Sequence, residues 1–266
     1  MGRAQDPVLQ PAAESGAAGG PDGGAQGGAA APGGAEAVAR HRASLAERLG
    51  AGEDGVALGR ANARFLDAFC SAGFERAVRT ARLRPGSIAL AAVGSFGRGA
   101  VALRSDADVV VVFPRGVGAA EANKFAEALL YPMWDATLAV GHQVLSASEA
   151  VPLAQKDLAT ATALLDLRPL AGEERLVREI VTRAYEGLFG EEDLAGFIGR
   201  LEEEAAARHE RFGGSVYLLE PDVKSGAGGL RDLDGVRWAA RARRRRSRTP
   251  CCSWRRRRPA MSMARS

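Results

Sequence analysis

The apolar positions sort the chain into a start with no periodicity, a patterned middle and an end dominated by arginine. In the middle, Val38, Leu45 and Leu49 recur at helical spacing over residues 36–49, and Gly50 follows as a stop. A longer helical pattern runs from about Val56 to Leu83. It carries Leu58, Phe65, Leu66, Phe69, Phe74 and Val78 and ends at Arg84-Pro85-Gly86. At that spacing the phenylalanines are expected to line a core rather than a cofactor. Two short apolar runs, 87–93 and 108–113, read as buried strands. Residues 121–130 read as a helix, and 136–145 alternate enough for a third strand. From about Ser148 to Arg211 the pattern is helical, broken near Pro169 and Gly190; a glycine-rich loop, 224–229, and a helix from about Leu230 to Ala240 follow. The expected fold class is α+β: a small mixed sheet with flanking helices, then a partial helical domain.

Composition changes the picture at both ends. Residues 1–35 contain ten Gly, ten Ala and four Pro. Such a segment buries little against a backbone ordering cost of about 1–2 kcal/mol per residue, and disorder is expected. The middle then divides into N-terminal helices (36–85), a sheet core (86–150) and a helical domain (151–240). Residues 241–266 hold eleven arginines and no acid, leaving 25 basic and 32 acidic residues elsewhere, a net of −7. The overall charge of +4 and the pI of about 9.3 therefore belong to the tail, and nucleic-acid binding argued from pI would rest on that tail alone. A block of like charge repels itself and is expected to be disordered. It reads either as a polyanion-binding arm or as the product of a shifted reading frame, the latter favoured because the patterned sequence stops abruptly beside it.

Several classes are excluded. No apolar run approaches the roughly 18 residues of a membrane span, and the start, Met1-Gly2-Arg3-Ala4-Gln5-Asp6, has neither a secretory h-region nor a myristoylation pattern. Three cysteines, Cys70, Cys251 and Cys252, give no disulfide framework and no CxxC zinc site, which suits the reducing cytoplasm.

The candidate chemistry lies in Val93-Gly94-Ser95-Phe96-Gly97-Arg98-Gly99 and, after a short interval, Ser105-Asp106-Ala107-Asp108-Val109. A strand runs into a glycine turn, and two aspartates open the next strand. Residues i and i+2 of a strand share a face, so Asp106 and Asp108 project together. Two hard carboxylates so placed suit Mg²⁺. Gly94 and Gly97 let backbone N–H groups approach a phosphate chain, and the Ser95 hydroxyl can join them. The bland alternative is a pair of turn aspartates capping a strand. His142 is expected to be a hydrogen-bonded strand histidine, and His209 to be exposed and inert.

Gly94-Ser95 with Asp106-x-Asp108 resembles the nucleotidyltransferase motif of the DNA polymerase β superfamily. The longer string 94–108 resembles the bacterial PII uridylyltransferases within it. Trp134-Asp135 with Val140-Gly141-His142, the segment 157–162, and Glu220-Pro221-Asp222-x-Lys224 with Gly228-Gly229-Leu230-Arg231-Asp232 are similar to further segments of that family. The resemblance covers roughly residues 38–242. It departs at Ala100, Ala139 and Leu145, where the family usually has Glu, often Glu, and Arg.

The resemblance implies transfer of UMP from UTP to a tyrosine of the signalling protein PII, with release of pyrophosphate. Asp106 and Asp108 would be catalytic and would bind Mg²⁺, with Asp135 as the candidate third carboxylate. Gly94, Ser95, Gly97, Arg98 and Ser105 would lie on the nucleotide, with Lys224 and Arg231 adding positive charge near the phosphates or the partner. Family members continue into an HD phosphohydrolase domain and two ACT domains. Their absence here would leave a fragment that neither removes UMP nor responds to glutamine. The alternatives are another nucleotidyltransferase on the same core, or an inactive fragment whose basic tail binds polyanions.

Overall fold

The computed structural model describes residues 34–84, 86–114, 116–190, 192–212, 220 and 222–244. Two helices open it, α1 (Gly34–Gly50) and α2 (Gly55–Ala81). Asp54 caps α2 by accepting the Ala57 N–H at 2.8 Å. Arg82, left-handed at φ 56°, ends it, and the Leu83 N–H closes onto the Val78 carbonyl. Val38 and Leu45 are buried as their spacing requires, but Leu49 is 52% exposed, because α1 has passed the end of the surface it packs on.

The sheet has four strands in the order β3-β2-β1-β4: β1 (Ala89–Ala92), β2 (Val109–Phe113), β3 (His142–Ser146) and β4 (Arg168–Gly172). β1 runs antiparallel to β2 and β4, and β2 parallel to β3, so the sheet is mixed and the fold α+β. The connection from β1 to β2 holds a single helical turn, α3 (Gly94–Gly97), and that from β2 to β3 holds α4 (Ala119–Asp135). One sheet face, with Leu90, Ala92, Val109, Val111 and Phe113, packs into a core with Leu66, Cys70 and Phe74 of α2 and Phe125, Leu129 and Met133 of α4. The alternate residues Ala89, Ala91, Val110 and Val112 are buried too, which accounts for the unbroken apolar runs of the central strands. Burial in this core pushes the Cys70 thiol up to about 12, so it is no nucleophile at neutral pH.

Two elements differ from expectation. The third strand begins at His142 rather than Ala136, because α4 continues through Pro132 to Asp135 before the chain turns at Thr137, left-handed at φ 61°. The interval read as helical contains β4. Pro169 breaks a helix but is tolerated at a sheet edge, which β4 occupies.

The chain forms two compact units: residues through 150 with 166–180, and 151–165 with those from 181 on. β4 thus returns to the first unit. The second is helical, with α5 (Ala150–Lys156), α6 (Leu158–Asp166), the later part of α7 (Glu174–Gly187), α8 (Leu194–Arg211) and α9 (Leu230–Arg244). α9 carries the chain four residues into the stretch expected not to pack. Ala242 is buried, and the Arg241 guanidinium donates to the Leu165 carbonyl at 3.1 Å. The rest of that stretch, 245–266, and the glycine-rich start, 1–33, lie outside the described residues. Among the described residues no helix is long and apolar enough to cross a membrane.

Candidate active site

Asp106, Ala107 and Asp108 immediately precede β2, which begins at Val109, so the aspartates do not open the strand as expected. The Ala107 N–H donates to the Ala139 carbonyl at 2.9 Å, and its methyl is 2% exposed in the core. Asp106, exposed, and Asp108, half-buried, flank this buried residue. The Asp108 backbone is fixed because its carbonyl accepts the Val93 N–H at 3.0 Å, beside the glycine turn. Its carboxylate reaches that turn as well: a Cβ at Gly94 would stand 3.5 Å from Oδ2. On its other side lies Gly141, where a Cβ would come under 3.0 Å from Oδ1. Gly141 is thus a glycine because the Asp108 carboxylate occupies the space of its side chain.

α3 presents the turn itself. As the first turn of a helix, its leading N–H groups have no intrahelical acceptors, and no side chain caps it at Val93. Gly94 and Ser95 are half-buried, while Phe96 is wholly buried and anchors the turn. Gly97 answers a packing need: a Cβ there would come under 3.0 Å from the Asp166 carbonyl oxygen and 3.0 Å from that of Ala92. The Arg98 guanidinium, expected on a nucleotide, pairs with the buried carboxylate of Asp166. Ser105 is exposed, in a turn where its N–H donates to the Ala102 carbonyl.

Asp135 ends α4 and is exposed. Among the described residues no three His, Cys, Asp or Glu side chains gather as a metal cluster. His142 is exposed at the start of β3 rather than inside it. Its ring lies 6.0 Å from that of Trp134, and partial desolvation lowers its pKa below the ordinary histidine value.

Lys224 and Arg231 belong to the second unit. The Asp222 carboxylate accepts the N–H groups of Lys224 and Ser225 at 2.8 and 2.7 Å, and the Arg231 N–H donates to the Lys224 carbonyl at 2.9 Å. The loop is pinned at Asp232, which accepts Arg208 at 2.8 Å, His209 at 2.9 Å and the Gly228 N–H at 2.7 Å. His209 is therefore a partner of Asp232 rather than inert. The pairing escaped sequence reading because 23 residues and a loop separate the two.

Burial alone would raise the Asp232 carboxyl, but the bonds from Arg208, Gly228 and His209 outweigh it and hold it below its ordinary value of 3.8. A depressed carboxylate stabilises the fold above its unfolded value, and that contribution is lost as pH falls through the folded one. Acid titration followed by circular dichroism should show extra loss of stability below about pH 3.8, and Asp232→Asn should abolish that component.

Three residues not singled out from the sequence hold the site's loops. Buried Asn62 of α2 donates to the carbonyls of Val101 and Ala102, both at 3.2 Å, and meets His41 at 3.2 Å. Arg42 of α1 donates to the Thr137 hydroxyl at 3.2 Å and carbonyl at 3.0 Å, bracing the turn ahead of Gly141. Arg168 of β4 binds the back of α3, donating to the Phe96 and Gly97 carbonyls. Only Asn62, a polar residue on an apolar helix face, could have been singled out from the pattern.

Comparison with known proteins bears on two parts of the chain. Residues 39–141 match the model of a nucleotidyltransferase family, DUF294, and residues 196–258 match that of GlnD PII-uridylyltransferase. The second match runs into the arginine-rich stretch, past the end of the resemblance read from motifs. The bifunctional uridylyltransferase/uridylyl-removing enzyme of Nitrobacter hamburgensis is 40% identical over 154 residues, 58% of this chain and 16% of the relative. That of Phenylobacterium zucineum is 36% identical over 213 residues, 77% of this chain and 22% of the relative. The chain thus spans about a fifth of the length of these relatives. With the glycine turn and aspartate pair inside the first match and the pinned loop inside the second, the chain is similar to the PII uridylyltransferases and carries a nucleotidyltransferase part.

Proposed function

We propose that this nucleotidyltransferase moves the uridylyl group of UTP onto a tyrosine of the PII signalling protein in the cytoplasm and releases pyrophosphate. The observation that carries this reading is the Asp108 carboxylate set against the Gly94 turn, with exposed Asp106 two residues before it. Two carboxylates supply hard oxygen donors, and the missing side chain at Gly141 makes space for the Asp108 carboxylate beside the Gly94 turn. This donor set fits Mg²⁺, which Asp106 and Asp108 would hold. When bound, the ion polarises the α-phosphate and neutralises charge on the departing pyrophosphate.

The chain's own groups do the rest. Backbone N–H groups at Gly94 and Ser95, with the Ser95 hydroxyl, bind the triphosphate oxygens, and Ser105 adds a hydroxyl from the facing loop. Gly97 and Arg98 hold the turn in place by packing on, and pairing with, Asp166. Lys224 and Arg231 offer positive charge to the phosphates or to an acidic face of the acceptor protein. The acceptor oxygen bonds the α-phosphorus as the α–β bridging bond breaks, so positioning and charge stabilisation supply the catalysis.

The test is transfer of label from α-³²P-UTP to PII with Mg²⁺ present. Label on a PII tyrosine, matched by pyrophosphate release, is the expected result. Transfer from another nucleotide in preference to UTP would overturn the uridylyl assignment. Transfer to no acceptor from any nucleotide would overturn the reading as a whole.

A further inference from the structure

We infer that Arg168 is the positioning residue of the nucleotide-binding turn: it holds α3 from behind, so that the Gly94 and Ser95 N–H groups stand ready for a triphosphate. This inference rests on the proposed nucleotidyl transfer, since it assigns a residue to the support of that same site.

The geometry around Arg168 is specific to a guanidinium. Its Nη2 donates to the Phe96 carbonyl at 3.0 Å and its Nε to the Gly97 carbonyl at 3.2 Å. The same group makes a two-point ion pair with Asp67 of α2, at 2.8 and 3.2 Å. Its carbon centre lies 5.5 Å from the centroid of the buried Phe96 ring. One side chain on β4 thus ties the last carbonyls of α3 to the middle of α2. A one-turn helix cannot hold its own shape, because a single turn fixes many dihedral angles for one hydrogen bond. The Phe96 carbonyl also accepts the Gly99 N–H at 3.0 Å. Arg168 adds a charged donor to it and to the Gly97 carbonyl, and brings positive charge where the turn is negative.

The approach of the strand explains why the support is rigid. The chain just before Arg168 passes so close to α3 that Gly97 has no room for a Cβ beside the Asp166 carbonyl. Asp166, 4% exposed, pairs with Arg98 on the turn's far end. The turn is therefore gripped at Phe96, Gly97 and Arg98 by two residues of one short segment, 166–168. Lysine at 168 could keep the charge but could not reach both carbonyls and Asp67 at once.

The experiment compares wild type, Arg168→Lys, Arg168→Ala and Asp67→Asn in the full chain, with Asp106→Asn as the catalytic reference. Positioning predicts that Arg168→Ala raises KM for UTP by about tenfold or more, that Arg168→Lys recovers part of it, and that Asp67→Asn falls between them. Hydrogen exchange at residues 94–98 should quicken in the same order while exchange in α4 is unchanged. That second readout needs no turnover. If wild type transfers nothing, the functional reading fails while the support of the turn is still measured. If the alanine variant does not fold, the lysine and Asp67→Asn variants carry the comparison. Unchanged KM and unchanged exchange at 94–98 in folded variants would overturn the inference, even if their stability fell.

Discussion

Asp106→Asn should remove metal-dependent UTP turnover, by at least about a hundredfold, the usual size of losing one group that stabilises transition-state charge. Stability should hardly change. Asp106 is exposed and precedes β2 rather than lying inside it, and exposed substitutions of this kind shift unfolding by about 0.5 kcal/mol or less. Steady-state rates against Mg²⁺ concentration, with a urea titration of the same preparation, separate the two effects. Turnover retained within a few-fold would mean that the aspartates are the bland strand-capping pair. A large loss of stability alongside lost turnover would mean that Asp106 serves the fold instead.

Gly97→Ala should be among the most destabilising single-methyl additions to the first unit. The added carbon meets two backbone carbonyl oxygens, of Asp166 and Ala92, and neither can swing away as a side chain would. Overpacking a closed site costs about 1–3 kcal/mol and sometimes more; the upper end is expected here because β1, α3 and the start of β4 must all shift. Gly235→Ala is the control. It lies within α9 with nothing inside 4 Å of the added carbon, and should be neutral or stabilising by up to about 1 kcal/mol. Urea midpoints of the two variants against wild type decide the matter. Equal midpoints for Gly97→Ala and wild type would show that segment 166–168 gives way easily, and would weaken the rigid grip assigned to it.

The sequence carried the local chemistry of the site but little of what surrounds it. The order of β1, α3 and β2 is legible because apolar runs and glycines are signals within a few residues. The shared face expected of Asp106 and Asp108 rests on strand periodicity, whereas both residues precede β2, which begins at Val109. Arg168 could not be read this way. It acts across 72 residues on Phe96, and the proline beside it argued for a break rather than an edge strand. His209 and Asp232 likewise meet only because α8 and α9 lie together. Gly97 carries a different lesson. The motif marks it as a glycine for phosphate approach, and the packing against Asp166 adds a requirement for glycine that no local pattern signals.

The arginine-rich end shows how far a charge pattern reaches. Self-repulsion argued that the chain from 241 onward would not pack, yet α9 continues to Arg244 with Ala242 buried beneath it. The arginines of this last turn can keep their charge at the surface while small Ala242 fills the contact. Buried Trp238 and Ala242, with the Arg241 bond to the Leu165 carbonyl, hold the helix end despite the charge density around it.

The central claim is that Asp106, Asp108 and the Gly94–Gly97 turn form one metal–nucleotide site. Crystals of this chain grown with Mn²⁺ and a non-hydrolysable UTP analogue would test it most directly. The account predicts anomalous density for Mn²⁺ between the two carboxylates and the triphosphate lying on the N–H groups of Gly94 and Ser95. Mn²⁺ or triphosphate bound elsewhere, with the aspartates and the turn untouched, would contradict it.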